Sequence, residues 1–250
     1  MIRTEIDGAI LTITLDRPEA MNALSPEMMA GIEDALIAYR DDLELRCAII
    51  TGAGPRAFCA GADLGRMANS EYRATRRLEL FTGLDVMKPI VGAINGHCLA
   101  GGLGLALLCD VRIAAQNATF GCMGTARGIL PGAGQTVRLP QVVGLADAMW
   151  LLLSAERIDA AEAHRIGLVN RVVPFPELLA AARAWAEILA SRAPLAVQAT
   201  KRSALENLAL PRAEALRHEG ELASPLMRSE DASEGIRAFN EKRAPVWRGR

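Results

Sequence analysis

Three short apolar runs, separated by helix-like stretches, constrain this chain more than any other feature. Cys47-Ala-Ile-Ile-Thr51 is closed by Gly52, Pro89-Ile-Val-Gly-Ala-Ile94 leads into Asn95-Gly96, and Val111-Arg-Ile-Ala-Ala115 follows. Runs of this length are too short for a buried helix and fit strands covered on both faces. Helical stretches between such strands imply crossover connections, and crossovers imply a largely parallel sheet. Ahead of them, Ile2 to Leu15 alternates around the turn signal Asp7-Gly8 and predicts a hairpin. Ser25-Pro26 then supplies a helix N-cap and a proline at the first helical position, with Met28, Met29, Ile32, Ala35, Leu36 and Tyr39 at helical spacing.

Beyond Pro140 the strand signal fades, apart from Val169 to Val173. Asp159 with Glu162 resembles a capping box, and Pro176 to Ser191 and Pro211 to Ala223 read as Ala- and Leu-rich helices. The 250 residues fit one large domain, or one with an appended helical piece, and a hydrophobic fraction of 51% excludes a disordered chain. A formal net charge of -1 gives no field that would draw nucleic acid or an anionic membrane. No segment supplies the roughly 18 apolar residues of a membrane span, and Arg3, Glu5 and Asp7 interrupt any signal core. Cys47, Cys59, Cys98, Cys109 and Cys122 lack metal-ligand spacing and predict reduced, buried thiols in a cytoplasmic protein with no metal site.

Three constellations carry chemistry. In Arg56-Ala-Phe-Cys-Ala-Gly-Ala-Asp-Leu64, the small residues Ala60, Gly61 and Ala62 let a ligand reach main-chain N–H groups, as an oxyanion site requires. The residues read equally well as a plain strand-to-helix turn. Asn95 to Asp110 is a glycine-rich turn entering an apolar helix near Gly101 or Gly102, whose free N–H groups favour a developing negative charge. It lacks the glycine order and the Lys-Ser/Thr ending of nucleotide loops. Gly128-Ile-Leu-Pro-Gly-Ala-Gly-Gln135, followed by Val137-Arg-Leu-Pro140, predicts a tight loop around Pro131.

In this order and at these separations, the three segments resemble the crotonase (enoyl-CoA hydratase/isomerase) family, and the likeness extends from the N-terminal hairpin to Phe239-Asn-Glu-Lys-Arg243. The resemblance implies an α/β fold, a crotonase-like spiral of repeated β-β-α units with a helical C-terminal region. It divides the chain into a core at 1–190 holding an acyl-CoA pocket and a helical trimerisation region at 191–250. It makes the N–H groups of Ala62 and Gly101 the donors that hold a thioester oxygen, in a lyase or isomerase whose reaction passes through an enolate. Ala60 is implied at the adenine end of coenzyme A, Arg56 near its phosphates, and Ala23 and Leu64 along the pantetheine path. Gly61 and Asp63 complete this binding set, although Asp63 also suits a helix cap near Leu64. Phe239 and Lys242 would reach the ligand of a neighbouring subunit in a homotrimer or homohexamer. Coenzyme A enters as part of the substrate, and no separate cofactor is implied.

The sequence departs from the family where hydratases keep two glutamates. Gly104 stands at the first position and Gly124 at the second, while Gly132 stands where some isomerases carry an aspartate. Loss of general acid–base help is typically worth 10²–10⁴-fold, which argues against two-glutamate hydration and leaves two alternatives: a non-catalytic acyl-CoA-binding homologue, or a different enolate reaction such as isomerisation, decarboxylation or C–C cleavage. Three missing side chains predict a wider pocket, open to a bulkier acyl group or to a carboxylate that glutamates would repel. Replacement proton carriers are sought in His97, Cys122, Glu71 and Glu79. A supporting histidine, a packed thiol and a solvated charged helix are the plainer readings of these residues.

Overall fold

The computed structural model describes residues 1–63 and 79–250. The hairpin forms as predicted: β1 (Ile2–Asp7) and β2 (Ile10–Leu15) pair antiparallel, with Asp7 opposite Ile10 across the turn. The remaining strands of the main sheet are parallel, in the order β1-β2-β3-β5-β7-β10, with β3 Cys47–Gly52, β5 Ile90–Ile94, β7 Val111–Ala115 and β10 Arg171–Val173.

A second sheet of four short strands runs β4-β6-β8-β9, namely Ala57–Cys59, His97–Leu99, Thr119–Gly121 and Ile158–Asp159. Three successive units thus place their first strand in the large sheet and their second in the small one: β3 with β4, β5 with β6, and β7 with β8. This is the spiral of β-β-α units that the resemblance implies. Periodicity alone pointed to one layered core, because strands of two or three residues are too short to show an alternation. His97 begins one of these short strands.

Both faces of the inner strands β3 and β5 are covered, which explains their apolar runs, whereas the edge strand β1 is exposed. On β3, Ala48 and Ile50 face a core shared with helix α1 (Pro26–Asp41), the small sheet and helix α3 (Gly101–Ala106). Cys47 and Ile49 face the other way, with Val91, Ala93, Ile113 and Ala115, against Leu178, Ala182 and Ala186. The last three lie on α7 (Leu178–Ala190), one turn apart along a single stripe. Ser25 caps α1 by accepting from the Met28 N–H at 3.2 Å, and Asp159 caps α6 (Ala160–Arg165) by accepting from Glu162 at 2.8 Å.

Between these lie α2 (Glu79–Thr82), α4 (Gln135–Val143) and α5 (Leu145–Ser154), and α8 (Pro194–Glu206), α9 (Arg212–Leu226) and α10 (Glu230–Glu241) close the chain. The chain end is fastened back onto the body: Lys201 on α8 pairs with Asp110 at 2.8 Å, and Arg46 donates to the Trp247 carbonyl at 3.1 Å. All five cysteines are buried and free. No helix among the described residues is long and apolar enough to cross a membrane.

Candidate active site

Backbone pairing builds one wall of a cavity at the seam between the two sheets. The segment after β4 is pinned to the chain before α1: Ala60 N–H donates to the Met21 carbonyl at 3.0 Å, Leu24 N–H to Gly61 at 2.8 Å, and Asp63 N–H to Leu24 at 3.2 Å. Leu24 and Ala62 form a parallel bridge. Gly61 sits at φ +98°, a conformation that strains any residue with a side chain, and an added β-carbon there would lie 2.8 Å from that of Ala100.

The facing piece is the turn from β6 into α3. Ala100 adopts φ 49°, ψ -119°, an unfavourable geometry for a residue with a β-carbon, and is held by its N–H to the Gly121 carbonyl at 2.9 Å. It launches α3, whose residues from Gly101 to Ala106 are all buried. Gly102 packs so closely on β4 that an added β-carbon would overlap the Cys59 carbonyl. At Gly101 a β-carbon would lie 3.6 Å from the Ala62 nitrogen, so the two peptide units stand side by side. Among the described residues, neither the Ala62 nor the Gly101 N–H has a protein acceptor. Two such donors at one point can hold an oxygen that gains negative charge.

The opposite wall is the loop from Met123 to Gln135. Together the walls enclose a narrow cavity of about 70 Å³, lined by Ala60, Ala62, Ala100 and Gly101 on one side and by Met123, Gly124, Arg127, Ile129–Gly132 and Gln135 on the other. A larger apolar cavity of about 710 Å³ lies elsewhere, between α8 and the body, and neither Ala62 nor Gly101 lines it. Of these two cavities, as lined by the described residues, the smaller one holds the paired donors.

The glycines do not widen it as expected. A β-carbon at Gly104 would lie 2.6 Å from the Ala133 carbonyl oxygen and 2.7 Å from the Ala133 β-carbon. One at Gly124 would lie 2.8 Å from both the Ile129 oxygen and the Pro131 nitrogen. The loop backbone and Ala133 occupy the space that side chains would need. Only at Gly132 is there room, the nearest atom being the Leu130 oxygen at 3.9 Å. No carboxylate stands among the described lining residues, and Arg127 is the single formally charged side chain there. Its guanidinium donates to the Met123 carbonyl at 2.8 Å.

The other candidates separate. Arg17 donates to the Ala23 carbonyl at 3.1 Å and pairs with Asp63 at 3.3 Å, so Asp63 ties the segment after β4 to the chain before α1. Arg56 is exposed and donates to the Pro18 carbonyl at 2.8 Å. His97 Nδ1 bonds Thr119 Oγ1 at 2.7 Å across β6 and β8, a bracing contact away from the lining. Cys122 is buried, and burial pushes its thiol up to about 12, which removes it as a proton carrier at neutral pH. Leu64 and Glu71 lie outside the described residues, and of Glu79 only its place at the head of α2 is described. Phe239 is 84% exposed on α10, followed by Lys242 at its C-cap, and neither lines the cavity. The sequence reading missed Gln135 as a site residue. It was read as the end of a loop, yet it is 2% exposed and lines the cavity.

Comparison with known proteins agrees with this architecture over the whole chain. The family profile described as enoyl-CoA hydratase/isomerase matches residues 5–250. The chain is 40% identical to "(E)-benzylidenesuccinyl-CoA hydratase" of Thauera aromatica over 253 aligned positions, covering 99% of each sequence. It is 42% identical to "Carnitinyl-CoA dehydratase" of Salmonella typhi, covering 98% of this chain and 97% of that one. Among solved structures, an enoyl-CoA hydratase from Mycobacterium tuberculosis H37Rv superposes with a TM-score of 0.94 at 37% identity, covering 100% of this chain and 99% of the other. One from Bacillus anthracis gives 0.93 at 35% identity, with the same coverage. With spiral, seam and likeness spanning the full length, the chain belongs to the enoyl-CoA hydratase/isomerase family and has the crotonase fold.

Proposed function

We propose that this protein binds an acyl-CoA thioester with the carbonyl oxygen between the Ala62 and Gly101 N–H groups, and that its reaction passes through the thioester enolate. The observation that carries the reading is the pair of adjacent donors without protein acceptors, facing a cavity with no carboxylate among its described lining residues. Removing a proton beside a thioester, or adding to its α,β-double bond, places charge on that oxygen, and a donor of this kind contributes about 3–4 kcal/mol. N–H donors supply the electrophile, so the reaction calls for no cofactor beyond the coenzyme A of the substrate. With glycine at 104 and 124, the reaction does not use the family's two glutamates. The named relatives are a hydratase and a dehydratase, which favours addition or loss of water as the first chemistry to test.

In this reading the coenzyme A chain runs past Ala23, Ala60, Gly61, Asp63 and Leu64, and Arg56, an exposed residue, meets its phosphates. Phe239 and Lys242 reach the ligand of a neighbouring subunit in a homotrimer or homohexamer. The exposed apolar side chains of Leu145, Met149 and Leu153 on α5 and of Phe239 on α10 support self-association, and light scattering of the purified protein tests it. Five free buried thiols support a reducing, cytoplasmic setting.

The deciding experiment follows the conjugated thioester absorbance of crotonyl-CoA and longer enoyl-CoAs with purified protein, alongside calorimetric binding. Turnover establishes hydration without the glutamates. Binding without turnover moves the search to malonyl-, β-keto- and dienoyl-CoAs, for decarboxylation, C–C cleavage or isomerisation. Failure to bind any thioester overturns the reading. A second reading concerns the acyl group: Arg127, the one formal charge among the described lining residues, favours a thioester carrying a further carboxylate.

A further inference from the structure

We infer that this protein carries a second binding site, outside the cavity beside Ala62 and Gly101, for a small phosphate-bearing anion. The site is a cavity of about 210 Å³ where five stretches of chain converge. Arg40 comes from the last turn of α1, Arg46 from just before β3, Lys88 from just before β5, Arg192 from the junction of α7 and α8, and Arg248 from the segment after α10. These five cations meet no carboxylate among the described lining residues, and none of them lines the cavity of the paired donors.

Cations gathered on one cavity repel one another unless each has its own counter-ion, and three of these do not. Arg40 is held by Asp41 at 2.7 Å, and Arg248 lies 3.6 Å from Glu230. Arg46, Lys88 and Arg192 form no ion pair among the described residues: Arg46 donates to the Trp247 carbonyl at 3.1 Å, Lys88 to the Tyr39 and Asp42 carbonyls at 3.0 and 2.5 Å, and the Arg192 guanidinium has no hydrogen bond. Lys88 is 7% exposed, and burial pushes its ammonium below the usual lysine range, an effect that Asp42 and Asp41 offset only in part. The fold thus keeps positive charge here at a cost that a bound anion relieves.

Size and chemistry choose the anion. A cavity of about 210 Å³ admits a phosphate group with a few further atoms and is too small for a nucleic-acid strand. Cations approaching from separate walls can each take a different phosphate oxygen, whereas a carboxylate offers only two. Leu45, Pro89 and Leu195 on the same walls supply apolar contact for a short carbon chain. Helix α8 begins at Pro194 on this lining, and the positive end of its dipole adds to the field of the side chains.

The test is isothermal titration of the full chain with inorganic pyrophosphate and with glycerol 3-phosphate, and thermal melting of the same samples, against sodium chloride of equal ionic strength. Ligand at tenfold over Kd should raise Tm by roughly 3–6 °C. Arg192 is exposed and unpaired among the described residues, so Arg192→Gln should weaken binding about tenfold, and Arg192→Glu should abolish it, with ligand-free Tm within about 2 °C of wild type. Arg46→Gln is a second variant from another wall and should weaken binding by a similar factor. Arg56→Gln lies outside this cavity and should leave the affinity unchanged. Tighter binding of glycerol 3-phosphate makes the occupant an ester and tighter binding of pyrophosphate makes it an inorganic anion, and either supports the site. No binding beyond the chloride control, an affinity that survives both Arg192→Glu and Arg46→Gln, or an affinity lost in Arg56→Gln would overturn the inference and leave the acyl-CoA reading standing.

Discussion

The two walls of the cavity are built by opposite means. The donor wall, Ala60–Ala62 with Ala100–Gly102, is fixed by main-chain contacts: the bridge of Leu24 to Ala62, the unfavourable dihedrals of Ala100, and the close packing of Gly102 on β4. Its chemistry lies in the peptide groups, so the wall requires a backbone path and tolerates only small side chains. The loop wall, Met123–Gln135, presents side chains, and glycine stands at 124 and 132 within it and at 104 on α3 facing it. A pair of backbone donors therefore persists as long as the fold does, whereas the side chains facing it can be exchanged without disturbing the sheets.

The sharpest way to break this contrast is a paired alanine substitution. At Gly102 a β-carbon overlaps the Cys59 carbonyl, so Gly102→Ala should cost about 3 kcal/mol or more. For a chain of this size that lowers Tm by roughly 6–12 °C. At Gly132 the nearest atom is 3.9 Å away, and Gly132→Ala should shift Tm by no more than about 2 °C. Differential scanning calorimetry on both variants decides it, and equal effects would erase the distinction between the walls.

Next in size is the loss of a single donor. Proline at 62 removes the N–H, so Ala62→Pro should lower kcat by roughly 10²–10³ on whichever thioester turns over. It should also shrink the red shift of a bound conjugated thioester, a readout independent of turnover. Retained Tm in the same preparation separates a lost donor from a lost fold. A kcat within threefold of wild type would remove Ala62 from the oxyanion role.

Restoring the acids tests the loop wall at Gly124 and its contact with α3 at Gly104. A wide pocket would accept Gly104→Glu and Gly124→Glu, but each β-carbon meets loop backbone at 2.6–2.8 Å. The double variant should lose about 2–4 kcal/mol of stability, read by urea denaturation, and gain no hydration of crotonyl-CoA. Recovered hydration at unchanged stability would show that the loop opens readily and that glycine at these positions is incidental.

How much of this was legible in the sequence depends on what each residue's role is made of. Strands β3, β5 and β7 were legible because both their faces are buried, leaving runs such as Cys47–Thr51 with no polar break. Strands β4, β6 and β8 carry three residues each and left no period to find. Ala62 and Gly101 stood out because backbone chemistry demands small residues, and glycine-rich turns are visible as such. The filling of the space at Gly104 and Gly124 was not legible: a missing side chain reads as a void until the neighbouring loop, here Ala133 and Pro131, is seen to occupy it. Gln135 was overlooked for a related reason. A polar residue at the end of a glycine loop looks solvated, and only the positive φ of Gly134 turns it inward.

The smallest expected effect concerns Arg127, on the loop wall but at its rim. Its guanidinium already donates to the Met123 carbonyl, and the side chain is exposed, so screening by water limits what a charge pair there can contribute. For a thioester bearing a second carboxylate, Arg127→Gln should weaken binding about two- to fivefold at low salt and less at 0.5 M, since an exposed pair is worth at most about 1 kcal/mol. Affinity for butyryl-CoA should not change. A uniform loss across charged and uncharged acyl groups would instead assign Arg127 to the coenzyme A phosphates, which every substrate shares. The salt dependence of the charged thioester, set against that of butyryl-CoA, separates the two: only an acyl-carboxylate partner gives the anionic substrate the steeper slope, and only in the protein that keeps Arg127.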